Sequence, residues 1–235
     1  MRLDTGKAWN DAVALGRNHA ELLLAIAGMF LLLPALLLEL FAPMPAGGAL
    51  AERLTAYMEL HGGKLFLAAL VTSYGQATIF ALLLDANRPT VAEALREGLR
   101  RLPWFVVLNL LVGMIWLGGF LLFIIPGLYL VGRLALAQPA LVSGRLSDPM
   151  EALRRAWRLS DGNGWRILAL LALVRVLGTL IVTAAVWTLG AVVLLLAKGP
   201  VAAFLLALVD ASFGAAVSVV LLLVDAAIFR QLLDD

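Results

Sequence analysis

The sequence predicts an all-α polytopic membrane protein, six transmembrane helices arranged as three hairpins with short amphipathic helices at the interface. Three observations predict it. First, 63% of the 235 residues are hydrophobic and 14% charged, whereas a soluble domain is about half apolar and a quarter charged. Second, several apolar runs reach the roughly 20 residues that a helix needs to cross a bilayer. Third, those runs are continuous, without the alternation that marks a barrel strand. The whole of 1–235 reads as one integral membrane domain.

The spans follow in order. The first, Leu22–Phe41, comes after some twenty mixed residues. It belongs to an apolar run too long for the core of a signal peptide, so it is expected to be retained. Leu65–Leu84 is the second span. Pro103–Val142 is a forty-residue block, too long for one crossing, with turn signals at Gly118-Gly119 and Pro126-Gly127. Ile167–Ala197 and Val201–Phe229 complete the set. Basic residues collect in three segments: Arg2, Lys7 and Arg17; Arg88, Arg96, Arg100 and Arg101; and Arg145, Arg154, Arg155, Arg158 and Arg166. The segments 43–64 and 198–200 hold only Arg53, Lys64 and Lys198. Basic segments stay in the cytoplasm. The forty-residue block is flanked by two of them, so it crosses twice. The total is six spans with both termini cytoplasmic.

The polar segments carry a weak internal repeat that starts near residues 4, 90 and 148. "DTGKAWNDAVALG", "TVAEALREGLRRL" and "DPMEALRRAWRLS" each open on a residue that caps a helix: Asp4, Thr90 and Asp148. Glu93 and Glu151 stand three positions on, as in a capping box, and Pro149 takes the first helical position. Four and eight residues past each cap stands a small residue: Ala8 and Ala12, Ala94 and Gly98, Ala152 and Ala156. That spacing keeps each pair on one helix face. The adjoining Arg96, Arg100, Arg154, Arg155 and Arg158 suit lipid phosphates if these helices lie at the interface. A solvated linker helix is the plainer reading.

Four ionisable residues fall inside apolar spans: Arg133, Arg175, Asp210 and Asp225. Such groups are costly in hydrocarbon unless they snorkel, pair or face a wet cavity. Counting 1.5 Å per residue from the turns sets Arg175 level with Asp225 and Arg133 near Asp210. The expected pairs are therefore Arg175–Asp225 and Arg133–Asp210. Such pairs serve either to fix helix register or to line a cavity for a lipid headgroup or another anion. Asp225 has a simpler alternative, reaching water near the cytoplasmic end. Glu39 is expected at the outer interface. Thr72–Thr78 and Asn109 supply polar groups that hydrogen-bond between helices.

Catalytic chemistry is not visible. With no cysteine, disulfides and thiolate metal sites are excluded. His19 and His61 fall on opposite sides of the predicted membrane, and no His/Asp/Glu spacing suits a metal. No nucleophile elbow, P-loop or dinucleotide fingerprint occurs. No catalytic residue, metal or cofactor is assigned, and a net charge of +2 is too small to argue for nucleic acid.

From Pro126 to Leu168 the chain reads "PGLYLVGRLALAQPALVSGRLSDPMEALRRAWRLSDGNGWRIL". This stretch resembles the membrane domain that accompanies some glycerophosphoryl diester phosphodiesterases, and related bacterial inner-membrane proteins of the YciC type. The likeness rests on Pro126-Gly127, Arg133, Pro139, Glu151–Leu153, Arg154, Trp157 and Gly162-Asn163 with Trp165, about a fifth of the chain. It implies a six-helix membrane domain and no activity. In those enzymes catalysis belongs to a separate soluble barrel, for which this chain has no room. The expected role is non-enzymatic, in a bacterial inner membrane, with membrane lipids (anionic phospholipid among them) or another membrane protein as partner. The alternative is a small transporter that uses an Arg/Asp cavity. A transporter should show a wet cavity at Arg133 or Arg175, and a scaffold should hold both dry between helices.

Overall fold

The structure, a computed structural model, describes residues 3–85, 90–144 and 146–234. Arg2, Arg88 and Arg145, counted above among the basic residues, lie outside the described residues. Among those residues the chain is helical throughout its ordered elements, with no strand. Six helical stretches are long and apolar enough to span a membrane, and the protein is an all-α polytopic membrane protein.

Helix α1 (Thr5–Asn18) starts where the Asp4 carboxylate accepts from the backbone N–H groups of Gly6 and Lys7. Helix α2 (Ala20–Ala27) passes through a π-helical turn, Gly28–Leu32, into α3 (Leu33–Phe41). Pro34 brings no N–H to this helix, and the widened turn just before it accommodates the loss. The second span begins much earlier than its apolar run. Helix α4 (Leu50–Leu84) has 35 residues, the first fourteen of which are the polar segment before Lys64.

Helix α5 (Val91–Leu122) starts at a full capping box between Thr90 and Glu93. It corrects one expectation: no separate interfacial helix precedes this span. The amphipathic turns run straight on through Pro103 into the membrane helix. The hairpin turn is another correction. It lies at neither glycine site but at Phe123, an extended residue between α5 and α6 (Ile124–Leu134). Gly119 and Gly127 serve helix crossing instead, since a Cβ on either would press within 3.0 Å of the opposite helix. Helix α6 breaks at Ala135–Leu136 and resumes as α7 (Ala137–Ser143). Pro139 causes the break, because its ring excludes the carbonyl four residues back, that of Ala135.

Helix α8 (Pro149–Leu159) is capped by Asp148, which accepts from Met150 N–H. Glu151 does not complete a capping box here: the cap is itself a carboxylate, which repels a second one. Gly162 adopts a left-handed φ of 69° in the turn that follows, a conformation that suits glycine. Helices α9 (Gly164–Leu196) and α10 (Gly199–Asp234) form the last hairpin.

The helices close a ring. α4 packs on α5, α5 on α6, α6 on α9, α9 on α10, and α10 returns to α3 and α4. Inside it α7 packs on α4, α5, α8 and α10, with Ala137, Pro139, Ala140, Leu141 and Val142 all buried. Small residues permit these approaches, as between membrane helices generally. A Cβ on Gly98 would strike the Thr78 hydroxyl, and one on Gly132 the Gly164 carbonyl.

All three basic segments meet at one end of the bundle. Arg101 donates to the Leu146 carbonyl at 2.9 Å. Leu3 N–H donates to Asn163 Oδ1 at 2.8 Å, and Arg166 donates to the Leu3 carbonyl at 3.0 Å. Arg155 lies 5.8 Å from the centre of the Phe229 ring near the end of α10. The segments capped by Asp4, Thr90 and Asp148 are all helical, and Ala8, Ala12, Ala94, Gly98, Ala152 and Ala156 are all buried. These pairs dock each amphipathic segment on the bundle. Replacing Ala152 with Leu should overpack this contact and cost about 1–3 kcal/mol, read as a lowered unfolding midpoint in detergent. The same change at exposed Arg154 should cost under about 0.5 kcal/mol.

Candidate functional site

Arg133 sits on α6 with 3% of its side chain exposed. Its partner corrects the expected pair. Arg133 Nη1 donates to Asp161 Oδ1 at 3.0 Å, so the counter-ion is the turn between α8 and α9, not Asp210. The Asp161 side chain is 82% exposed, so the pair opens to solvent at its acidic side. The guanidinium itself stays buried with its stem, and its Nε finds no hydrogen-bond partner among the described residues. The guanidinium also stacks over Trp157, 4.2 Å from the ring centre, and lies 5.8 Å from that of Tyr129. Trp165 packs against Tyr129 at 5.6 Å. Ser160 Oγ fixes the same turn by donating to the Arg133 carbonyl at 3.0 Å.

Asp210 lies elsewhere. It is exposed on α10, and its side chain meets that of Glu39 on α3. Glu39 therefore does have a specific neighbour. The expected pairing failed because hairpin turns do not mark a common depth. Helices α9 and α10 have 33 and 36 residues, against 11 and 7 for α6 and α7. Counts from the two turns thus start at different levels.

Arg175 and Asp225 do come together, though not as an ion pair. Both line one cavity of about 300 Å³ between α5–α7 and α9–α10. Among the described residues only Arg101–Glu97 and Arg133–Asp161 close to salt-bridge distance. Arg175 is exposed and Asp225 half-buried. Val112, Leu128, Leu171 and Leu221 make up much of the apolar wall, and Trp116 and Gln138 are its other polar members. Trp116 Nε1 and Asp225 Oδ1 are buried without a hydrogen-bond partner among the described residues. Gln138 Nε2 donates to Asn109 Oδ1 at 2.7 Å, and Asn109 Nδ2 donates to Ser73 Oγ at 3.3 Å. The polar groups foreseen at Ser73 and Asn109 thus form a chain from α4 through α5 to α7, ending at this cavity.

A second concavity, of about 660 Å³, runs between α9 and α10. Its walls are apolar, among them Leu173, Leu177, Ile181, Phe213 and Val217, with Ala216 exposed along it. At the basic end it meets Thr5, Gly6 and Trp9 of α1. Composition alone could not reveal it, because a lipid-facing leucine and a groove-lining one look alike in sequence.

Of the interfacial arginines, Arg96, Arg100, Arg154 and Arg158 are exposed. Arg155 is a correction: it is half-buried against Phe229, held by packing rather than turned outward. Arg101, one basic residue among several in the sequence, is 5% exposed and bound to Glu97 at 2.7 Å. Glu97 four residues earlier on the helix was the available signal. His19 lies at the basic end and His61 on α4 close to Lys64, whose Nζ donates to the Phe41 carbonyl at 2.6 Å at the opposite end. Among the described residues no three His, Asp or Glu side chains are placed to hold a metal ion. No protein-family model, curated protein or solved structure matches the chain.

Proposed function

We propose that the chain is a non-enzymatic, lipid-interacting protein of a bacterial inner membrane. The groove between α9 and α10 carries this reading. From Leu170 to Val182 its wall on α9 rises about 18 Å, a length and an apolarity that suit an acyl chain. It ends at Trp9, and tryptophan favours the headgroup level of a bilayer. A bound phospholipid would place its headgroup at this end, beside Trp9 and the start of α1. Exposed Arg96, Arg100, Arg154 and Arg158 at the same end draw anionic lipid electrostatically. The excess of basic residues makes that end, with both termini, cytoplasmic.

Native mass spectrometry of protein released from nanodiscs tests the reading. The wild type should retain phospholipid. Ala216→Trp should lose the lipid held in this groove while keeping the unfolding midpoint, because Ala216 is exposed along the groove and its replacement fills only that space. A wild type that retains no lipid would overturn the reading. A transporter is the second reading, and the cavity at Arg175 and Asp225 is the observation that favours it.

A further inference from the structure

We propose that the cavity shared by Arg175 and Asp225 binds a zwitterion carrying a phosphate and a primary amine, the phosphate taken by Arg175 and the ammonium by Asp225. The ligand is an aminophospholipid headgroup or a free molecule of the same chemistry. The lipid-headgroup form rests on the lipid-interacting reading above, and the free form does not.

The cavity differs from an ordinary packing defect in what lines it. Four helices each contribute one polar group: Trp116 from α5, Gln138 from α7, Arg175 from α9 and Asp225 from α10. A register-fixing pair closes on itself, as Arg133–Asp161 does at 3.0 Å and Arg101–Glu97 at 2.7 Å. Arg175 and Asp225 face one space without closing. Two hydrogen-bonding atoms there, Trp116 Nε1 and Asp225 Oδ1, find no partner among the described residues. Unmet buried polar atoms are costly, and a cluster of them around one space marks what the space is built to hold. Gln138 is held in place through its Nε2 by Asn109, which leaves its Oε1 as an acceptor. The polar chain back to Ser73 thus orients one wall.

Charge selects the ligand class. The lining carries one guanidinium and one carboxylate, so its formal sum is zero. In hydrocarbon, a ligand with net charge leaves one charge without compensation. A phosphate alone would satisfy Arg175 and repel Asp225. An amine alone would do the reverse. A zwitterion matches both, with the guanidinium suited to phosphate oxygens and Trp116 as a further donor. The apolar remainder of the wall suits the glycerol and acyl portions of a lipid. The site therefore prefers an aminophospholipid to an anionic phospholipid.

The test uses full-length protein in nanodiscs of phosphatidylethanolamine or phosphatidylglycerol, read by native mass spectrometry, with thermal unfolding in soluble phosphoethanolamine as a parallel arm. Wild type should retain phosphatidylethanolamine in preference. Arg175→Gln and Asp225→Asn should each weaken retention about tenfold. Trp116→Phe, which keeps an aromatic ring and removes the indole N–H, should weaken it several-fold. Should either charge variant fail to fold, Trp116→Phe, Arg175→Lys and Asp225→Glu carry the test, each expected to lower retention. Ala216→Trp should empty the α9/α10 groove and leave the cavity occupied, which separates failure of this site from failure of the groove. Stabilisation by soluble phosphoethanolamine that Asp225→Asn abolishes would assign the free molecule as the source. Three results, read in the Ala216→Trp background so that the groove is empty, would overturn the proposal: equal or better retention of phosphatidylglycerol, retention indifferent to all the cavity variants, or neither probe binding, which would leave the cavity holding water alone.

Discussion

Asp161→Ala is expected to destabilise the folded chain by about 2–3 kcal/mol, clearly more than Arg133→Met at about 1 kcal/mol. The asymmetry follows from burial. Only 3% of the Arg133 side chain is exposed, against 82% for Asp161. Removing the carboxylate leaves a buried guanidinium without its counter-ion, which typically costs about 3–5 kcal/mol when both partners are buried. Here the exposure of Asp161 lets water compensate in part, and the expected cost falls below that range. Arg133→Met leaves Asp161 in water, where it needs no partner. The methionine keeps the apolar stem and sets its sulfur against Trp157, a favourable contact that offsets part of the lost cation–π stack. Equilibrium unfolding in mixed detergent micelles would rank the two. The reverse order would mean that the ion pair does not hold the α8–α9 turn to α6.

Gly132→Ala and Gly118→Ala should have opposite signs. A Cβ on Gly132 would meet the Gly164 carbonyl and lie 2.9 Å from Leu168 Cβ. The obstructing atom is backbone, so relief requires α6 to move away from α9. That overpacking should cost about 3 kcal/mol and widen the cavity at Arg175, since α6 and α9 both line it. Gly118 lies in the interior of α5, and a methyl group placed there would find no neighbour within 4 Å. Alanine at this position should be neutral or stabilise the helix by up to about 1 kcal/mol. The same unfolding assay reads both variants. A neutral Gly132→Ala would show that α6 and α9 are not in close contact.

These two cases also show what the sequence disclosed. Six spans and one shared basic end were legible, because hydrocarbon demands long apolar runs and arginine placement pairs the loops. The buried cation at Arg133 stood out for the same reason. Its partner did not. Asp161 lies in a polar turn that reads as ordinary surface, and the unequal hairpins defeated depth counting. Glycine misled where two functions share one residue type. Gly119 and Gly127 look like turn signals but admit a close helix crossing, while the chain turns at Phe123, which carries no turn signal. At the candidate site, Arg175 and Asp225 were legible as opposite charges at one level. Trp116 and Gln138 were not, because an indole or an amide inside a span gains meaning only once its neighbours leave it unpaired or bind it.

One end of the six-span bundle gathers the basic segments, and the hairpin tips lie at the other. The absence of cysteine permits a direct test with single cysteines at Arg100, Arg158, Glu59 and Lys198, labelled in intact spheroplasts by a membrane-impermeant maleimide. Glu59→Cys and Lys198→Cys should react from outside, and Arg100→Cys and Arg158→Cys only after lysis. Labelling of Arg100→Cys and Arg158→Cys from opposite sides would contradict this fold.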